Sequence, residues 1–107
     1  MAQTINKFHI RAVIFKEGDW WVGQCLEHDI AAQAKTPKDL AYEIQRSLIG
    51  HIIVSKQEGL VPFKNLPKAP DKYWQLFTNS LQLSPENFTF KVSADVKVPT
   101  PELYLVA

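Results

Sequence analysis

The densest run of chemically capable side chains is Cys25-Leu26-Glu27-His28-Asp29. Cys25 and His28 have the Cys-x-x-His spacing that can present a thiolate and an imidazole to one zinc ion, and His9 and His51 are the other imidazoles in the chain. A structural zinc site usually takes four ligands as two such pairs, and the sequence has no second pair. The plainer reading is a buried thiol at a strand end and a histidine in a turn. Cys25 and His28 could also be a nucleophile and its base, but no third orienting group or oxyanion-hole motif accompanies them. Glu27 and Asp29, with Asp19 and Asp95, raise the carboxylate cluster that clamps two metal ions in nuclease chemistry. These residues fall in turns or on solvated strand faces, and their spacing does not bring them together. Ser47, Ser55 and Ser80 lie outside any nucleophile-elbow pattern, and the 4 glycines do not cluster into a phosphate-binding loop. The sequence therefore assigns no catalytic residue, no metal ligand and no cofactor, and the protein is not read as an enzyme. A metal-dependent hydrolase using Glu27, His28 and Asp29 stands as the rival reading.

Aromatic residues offer a different function. Trp20 and Trp21 are adjacent, so a regular strand points them to opposite sheet faces. One is expected in the core, and the other either under a later element or in an interface, where tryptophan is a favoured hot spot. Tyr73, Trp74 and Tyr104 carry the same two alternatives.

The elements that would position these residues follow from periodicity. Phe8, Ile10, Ala12 and Ile14 fall on one face of a strand over Phe8–Phe15, and Val13 and Phe15 make its second face partly apolar. Lys16-Glu17-Gly18-Asp19 reads as a hairpin turn. Trp20–Leu26 is a second strand, in which Gly23 marks a bulge or a close backbone approach. Glu27-His28-Asp29 is a polar break, and Ile30–Lys35 a small-residue third strand. A helix then opens well. Thr36 can cap it, Pro37 suits its first position and Asp39 its positive end. Leu40, Ile44, Leu48 and Ile52 form an apolar stripe widened by Ala41, Ile49 and Ile53, with Lys38, Glu43, Gln45 and Arg46 mostly off it. The helix runs to about Lys56, with Gly59 as a stop. Prolines at 62, 67 and 70 punctuate a connection. A shorter helix over Asp71 to about Leu81 would put Tyr73, Trp74, Phe77 and Leu81 on one side. Ser84-Pro85-Glu86-Asn87 breaks it. Phe88–Val98 alternates apolar and polar residues as a half-buried strand does. Leu103–Val106 is a last apolar stretch, read as a strand with an edge open to another subunit.

Bulk composition bounds the rest. The 107 residues suit one domain, taken as 1–107, with 46% hydrophobic and 21% charged residues, which is ordinary for a globular chain. The net charge of +1 supplies no basic field for nucleic acid, so direct nucleic-acid binding is not expected. The lone cysteine allows no intrachain disulfide. The apolar runs are far too short for a membrane span, and the first residues lack an apolar leader core. A soluble, cytoplasmic protein is expected. The element order points to an α+β fold: an antiparallel sheet of three to five strands, a long helix on one face and a second short helix.

The segment from Phe8 to Ile53, a little under half of the chain, resembles the HicB-like antitoxin family. The features that carry it are the first strand with its Gly-containing turn, the aromatic strand opening Trp20-Trp21-Val22, and Cys25-Leu26-Glu27-His28-Asp29-Ile30. A small-residue strand and the helix opening Thr36-Pro37-Lys38-Asp39-Leu40-Ala41 complete it. Ala34 stands where many members carry glycine. The resemblance implies a three-stranded sheet with a helix, similar to part of an RNase H fold. It also implies a protein that works by binding, commonly by covering a small RNA-cleaving toxin of the HicA type. Many members add a C-terminal segment that binds operator DNA, and after Gly59 this chain has neither a helix-turn-helix pattern nor a basic ribbon strand. The expectation is a partner-binding protein, self-associating as a dimer or higher oligomer, with Trp21, His28, Asp29 and Tyr104 at the partner surface. A stand-alone homo-oligomer without a toxin partner is the alternative.

Overall fold

The structure is a computed structural model that describes residues 9–84 and 100–106. Alternation in the first strand builds a meander: β1 (Arg11–Glu17), β2 (Trp20–Cys25) and β3 (Ala31–Ala34) pair antiparallel in sequence order. Glu17 faces Trp20 across a two-residue turn, and Gly18 supplies the positive φ, +62°, that such a tight hairpin needs. The register from Ala12–Cys25 to Glu17–Trp20 is unbroken, so Gly23 marks no bulge. It marks a close approach instead: a Cβ there would stand 2.5 Å from Ile44 Cδ1 on the helix above.

That helix, α1 (Pro37–Gln57), begins as its sequence requires. Thr36 Oγ1 accepts the Asp39 backbone N–H at 3.1 Å, and Gly59, at φ +71°, follows the helix end in the left-handed region. Leu40, Ile44, Leu48 and Ile52 are all buried on the sheet. Two positions depart from the expected stripe. Gln45 is buried, and Ile53 is 47% exposed. Successive residues turn by about 100°, so Ile53 lies well past Ile52 and out of the buried arc, while Gln45 stays inside it.

The second helix is shorter than expected. α2 (Asp71–Phe77) stops before Leu81, which instead belongs to β4 (Ser80–Gln82) and is exposed. Hydroxyl groups supply the reason. Thr78 Oγ1 donates to the Gln75 carbonyl at 2.7 Å and Ser80 Oγ to the Phe77 carbonyl at 2.6 Å, taking acceptors that helix N–H groups would use. The strand expected over Phe88–Val98 lies outside the described residues.

The last strand, β5 (Glu102–Val106), corrects another expectation. It is not an edge awaiting another subunit. It runs parallel to β1 and antiparallel to β4, giving the order β3-β2-β1-β5-β4. The sheet is therefore mixed, not purely antiparallel. Its two faces carry two cores. Ile10, Ala12, Ile14, Cys25 and Leu103 meet α1, while Val13, Leu26 and Ala69 meet Phe15, Tyr73, Trp74, Phe77 and Tyr104 on the α2 side. Both faces of β1 are covered, as its apolar residues on both sides imply. No described helix is long and apolar enough to cross a membrane.

Candidate functional site

The turn after β2 holds the residues with the most chemistry, and the fold ties each of them down. Leu26 N donates to the Arg11 carbonyl at 2.8 Å, and the Leu26 carbonyl accepts from Ala69 N at 2.9 Å. Glu27 takes the Arg11 backbone N–H at 2.7 Å and its guanidinium Nε at 2.5 Å. The same guanidinium lies 5.3 Å from the Trp74 ring centre and 4.9 Å from that of Phe77. This half-buried pair neutralises Glu27 and sits on aromatic faces, an arrangement suited to holding β1, the turn and α2 together. Asp29 is exposed. Its carboxylate accepts from Gln24 Nε2 at 2.9 Å, and its backbone N–H donates to the Pro67 carbonyl at 2.8 Å.

His28 stacks on Phe63, with centroids 4.4 Å apart, and His51 also stacks on Phe63, at 4.8 Å. Phe63 is buried and left-handed, at φ +70°. A bulky residue in that region costs about 1–3 kcal/mol, so its surroundings must hold it there. They include His51 Nε2, which accepts the Phe63 backbone N–H at 2.9 Å. His28 Nδ1 is buried without a hydrogen-bond partner. Burial pushes the His28 pKa below its ordinary value; Glu27 opposes this and His51 adds to it.

Tyr104 is half-buried on the α2 side, edge-on to Phe77, and its hydroxyl donates to Glu102 Oε1 at 2.9 Å. Burial, followed by the hydrogen bond and charge of Glu102, raises its pKa. Trp21 packs partly buried against the α1-side core. Trp20 points the other way, 39% exposed, with Lys35 Nζ 4.0 Å from its ring centre. Of the four residues expected at a partner surface, His28 and Asp29 share a turn, while Trp21 and Tyr104 lie on opposite faces of the sheet.

The arrangement has little to offer nucleophilic or metal chemistry. Cys25 is sealed under α1, and burial, reinforced by the charge of Glu27, pushes its thiol up to about 12, far from a reactive thiolate. Ser55 Oγ lies 3.4 Å from His51 Nε2, but that lone pair already accepts the Phe63 N–H. Among the described residues no three His, Cys, Asp or Glu side chains come close enough to hold a metal ion. The carboxylates of the rival hydrolase reading are engaged, Glu27 with Arg11 and Asp29 with Gln24. An open recess beside α2 is lined by Lys72, Gln75, Leu76, Asn79 and Val106, which provide one cation and two amides but no nucleophile.

Sequence reasoning offered His51 only as a further imidazole for a metal site and missed Arg11 and Phe63 as partners of this turn. Glu27 and Arg11 are sixteen residues apart, and no local pattern couples them. Trp20 was legible as one of two alternating tryptophans, but which of them faced outward was not.

No family model matches the chain, and neither a curated protein nor a solved structure matches it.

Proposed function

We propose that this chain is a HicB-like protein that acts by binding another protein, in the specific form of antitoxin-like cover over a small RNA-cleaving partner of the HicA type. The observation that supports it is the open sheet face. On the side of β2 and β3 away from α1, Trp20, Ala31 and Gln33 are exposed, while Val22 is half-buried and Gln24 buried on the same face. An exposed tryptophan beside alanine and glutamine, with Lys35 over its ring, is a side chain of the kind a protein interface uses as an anchor. Asp29, exposed just before β3, would sit at the rim of the same surface. Trp20 replaces Trp21 as the anchoring side chain, because Trp21 is committed to the core margin.

The test is affinity capture of the tagged chain from its host, followed by titration of the recovered partner. Trp20→Ala is expected to weaken the complex about 30-fold, the value of a hot-spot loss near 2 kcal/mol, with the unfolding midpoint unchanged. Trp21→Ala is expected to lower the midpoint. An unaltered Kd for Trp20→Ala removes the sheet-face reading.

A second reading has its own observation. Among the described residues β3 is an edge strand, Ala31-Ala32-Gln33-Ala34, with neither charge nor proline to block pairing. A second copy pairing there would make the protein a stand-alone homo-oligomer. Capture of the chain alone, as a defined oligomer by light scattering, would favour it.

A further inference from the structure

We propose that two copies of this chain join edge to edge through β3, antiparallel about a two-fold axis at Gln33, so that their sheets become one. The inference rests on the second-copy reading of that edge and adds the register in which the copies meet. Alternation in the β2–β3 ladder shows which groups are open. Cys25 N donates to the Ile30 carbonyl at 2.9 Å, and the register then runs from Gln24–Ala31 to Trp21–Ala34. Antiparallel strands alternate their hydrogen-bonding direction, so Ile30, Ala32 and Ala34 turn their backbone groups to β2. Ala31, Gln33 and Lys35 turn theirs away. Among the described residues nothing takes up the outward groups of Ala31 and Gln33.

Both ends of this open stretch are closed. The Asp29 N–H donates to the Pro67 carbonyl at 2.8 Å, so the edge before β3 is occupied. Past Lys35 the chain turns into α1, where the Thr36 carbonyl accepts the Leu40 N–H at 2.9 Å and Pro37 has no N–H to give. Residues 31–35 remain, and Gln33 is their middle.

Self-complementarity then selects the register. Outward groups must face outward groups, so a two-fold axis must pass through a residue and not between two. An axis at Ala31 or Ala32 would bring a second-copy strand residue against Asp29, where Pro67 already lies. An axis at Ala34 would set Pro37 against Ala31. An axis at Gln33 sets Gln33 against Gln33 and Ala31 against Lys35, and every outward N–H and C=O over 31–35 finds a partner.

Side chains and layers agree with it. Facing glutamines each bring an amide donor and acceptor, and each lysine meets an alanine instead of a like charge. Lys35 can keep its place over the Trp20 ring. The axis is perpendicular to the sheet, so both α1 helices lie on one side. Ile44 sits over Gly23 of β2, one strand in from the edge. The two β2 strands would stand three strand spacings apart, about 14 Å, which leaves room for two helices that pack at about 8–10 Å.

The test is sedimentation equilibrium of the full chain, with cysteine scanning to read the register. Wild type is expected to show a monomer–dimer equilibrium. Gln33→Pro removes an N–H that the β2–β3 ladder does not use, and it should raise the dimer dissociation constant at least about fivefold with the unfolding midpoint unchanged. If Gln33→Pro does not fold, Gln33→Lys sets like charges at the axis and should weaken the dimer in the same sense. Under mild oxidation Gln33→Cys should form a covalent dimer, because facing hydrogen-bonded residues have Cα atoms about 5.5 Å apart, within disulfide reach. Ala31→Cys should not, because its two copies would lie about 13 Å apart along the strands. A wild type that is monomeric at every concentration overturns both this proposal and the second-copy reading. A dimer that links through Ala31→Cys and not through Gln33→Cys, or that neither Gln33 substitution weakens, overturns the Gln33 axis and leaves self-association standing.

Discussion

Cys25 and His28 lie three positions apart, the spacing that first suggests a reactive pair, and their surroundings give them different fates. The thiol is 1% exposed beneath α1 with its pKa pushed up to about 12, so at pH 8 very little of it is thiolate. Iodoacetamide at pH 8 should therefore leave the folded protein unlabelled over hours and label it fully once urea unfolds it. Rapid labelling of the folded chain would mean that the helix does not seal this position. The types of these residues were legible in the sequence, since a cysteine at the end of an apolar strand is usually core. Their partners were not. Glu27 meets an arginine on another strand, and His28 meets a phenylalanine from a proline-punctuated loop whose left-handed backbone no composition announces. Contacts between residues far apart in sequence leave no period to read.

Gly23 shows how two elements constrain each other. Within β2 it looks like a weak residue, because glycine lacks a side chain to pack and loses more backbone freedom than any other. Its value lies in the helix above, since Ile44 Cδ1 and Cγ1 would stand 2.5 and 3.1 Å from an added Cβ and Leu40 Cδ1 at 3.4 Å. Gly23→Ala should thus destabilise the protein by about 1–3 kcal/mol, as overpacking does, despite improving the local strand preference. Urea unfolding by circular dichroism would measure it, and an unchanged or raised midpoint would show that Ile44 can turn aside at no cost. Elements governed by a strong period were legible: α1 ends at Gln57, one residue past the expected end near Lys56, and Leu40, Ile44, Leu48 and Ile52 are buried as expected. The end of α2 was not, because hydroxyls at Thr78 and Ser80 decide it by bonding back to the helix carbonyls, and apolar spacing is blind to that competition.

At the scale of the whole molecule, the last strand matters more than its position in the chain suggests. A terminal apolar stretch after a proline-rich break looks like an appendage, and sequence alone gives no reason to place it between β1 and β4. Topology does. β1 is apolar on both faces, which suits a strand flanked on both sides and covered above and below. Its neighbour on one side is β2, and β5 fills the other side in parallel register, Arg11 to Glu102 through Ile14 to Leu105. Leu103 enters the α1-side core while Tyr104 and Val106 enter the other, so one short strand closes both layers. It also provides the strand partner of β4, whose bonds run from Ser80–Val106 to Gln82–Tyr104. Ending the chain before Thr100 should therefore do more than trim an edge. It exposes the hydrogen-bonding side of β1, opens both cores and leaves β4 unpaired, and a chain so cut is expected to lose its cooperative urea transition and to aggregate. Circular dichroism with size-exclusion chromatography would show this. A truncated chain that stays monomeric and unfolds at the original midpoint would mean that β5 is the dispensable arm its sequence resembles, and that β1 to β3 with α1 stand as a unit by themselves.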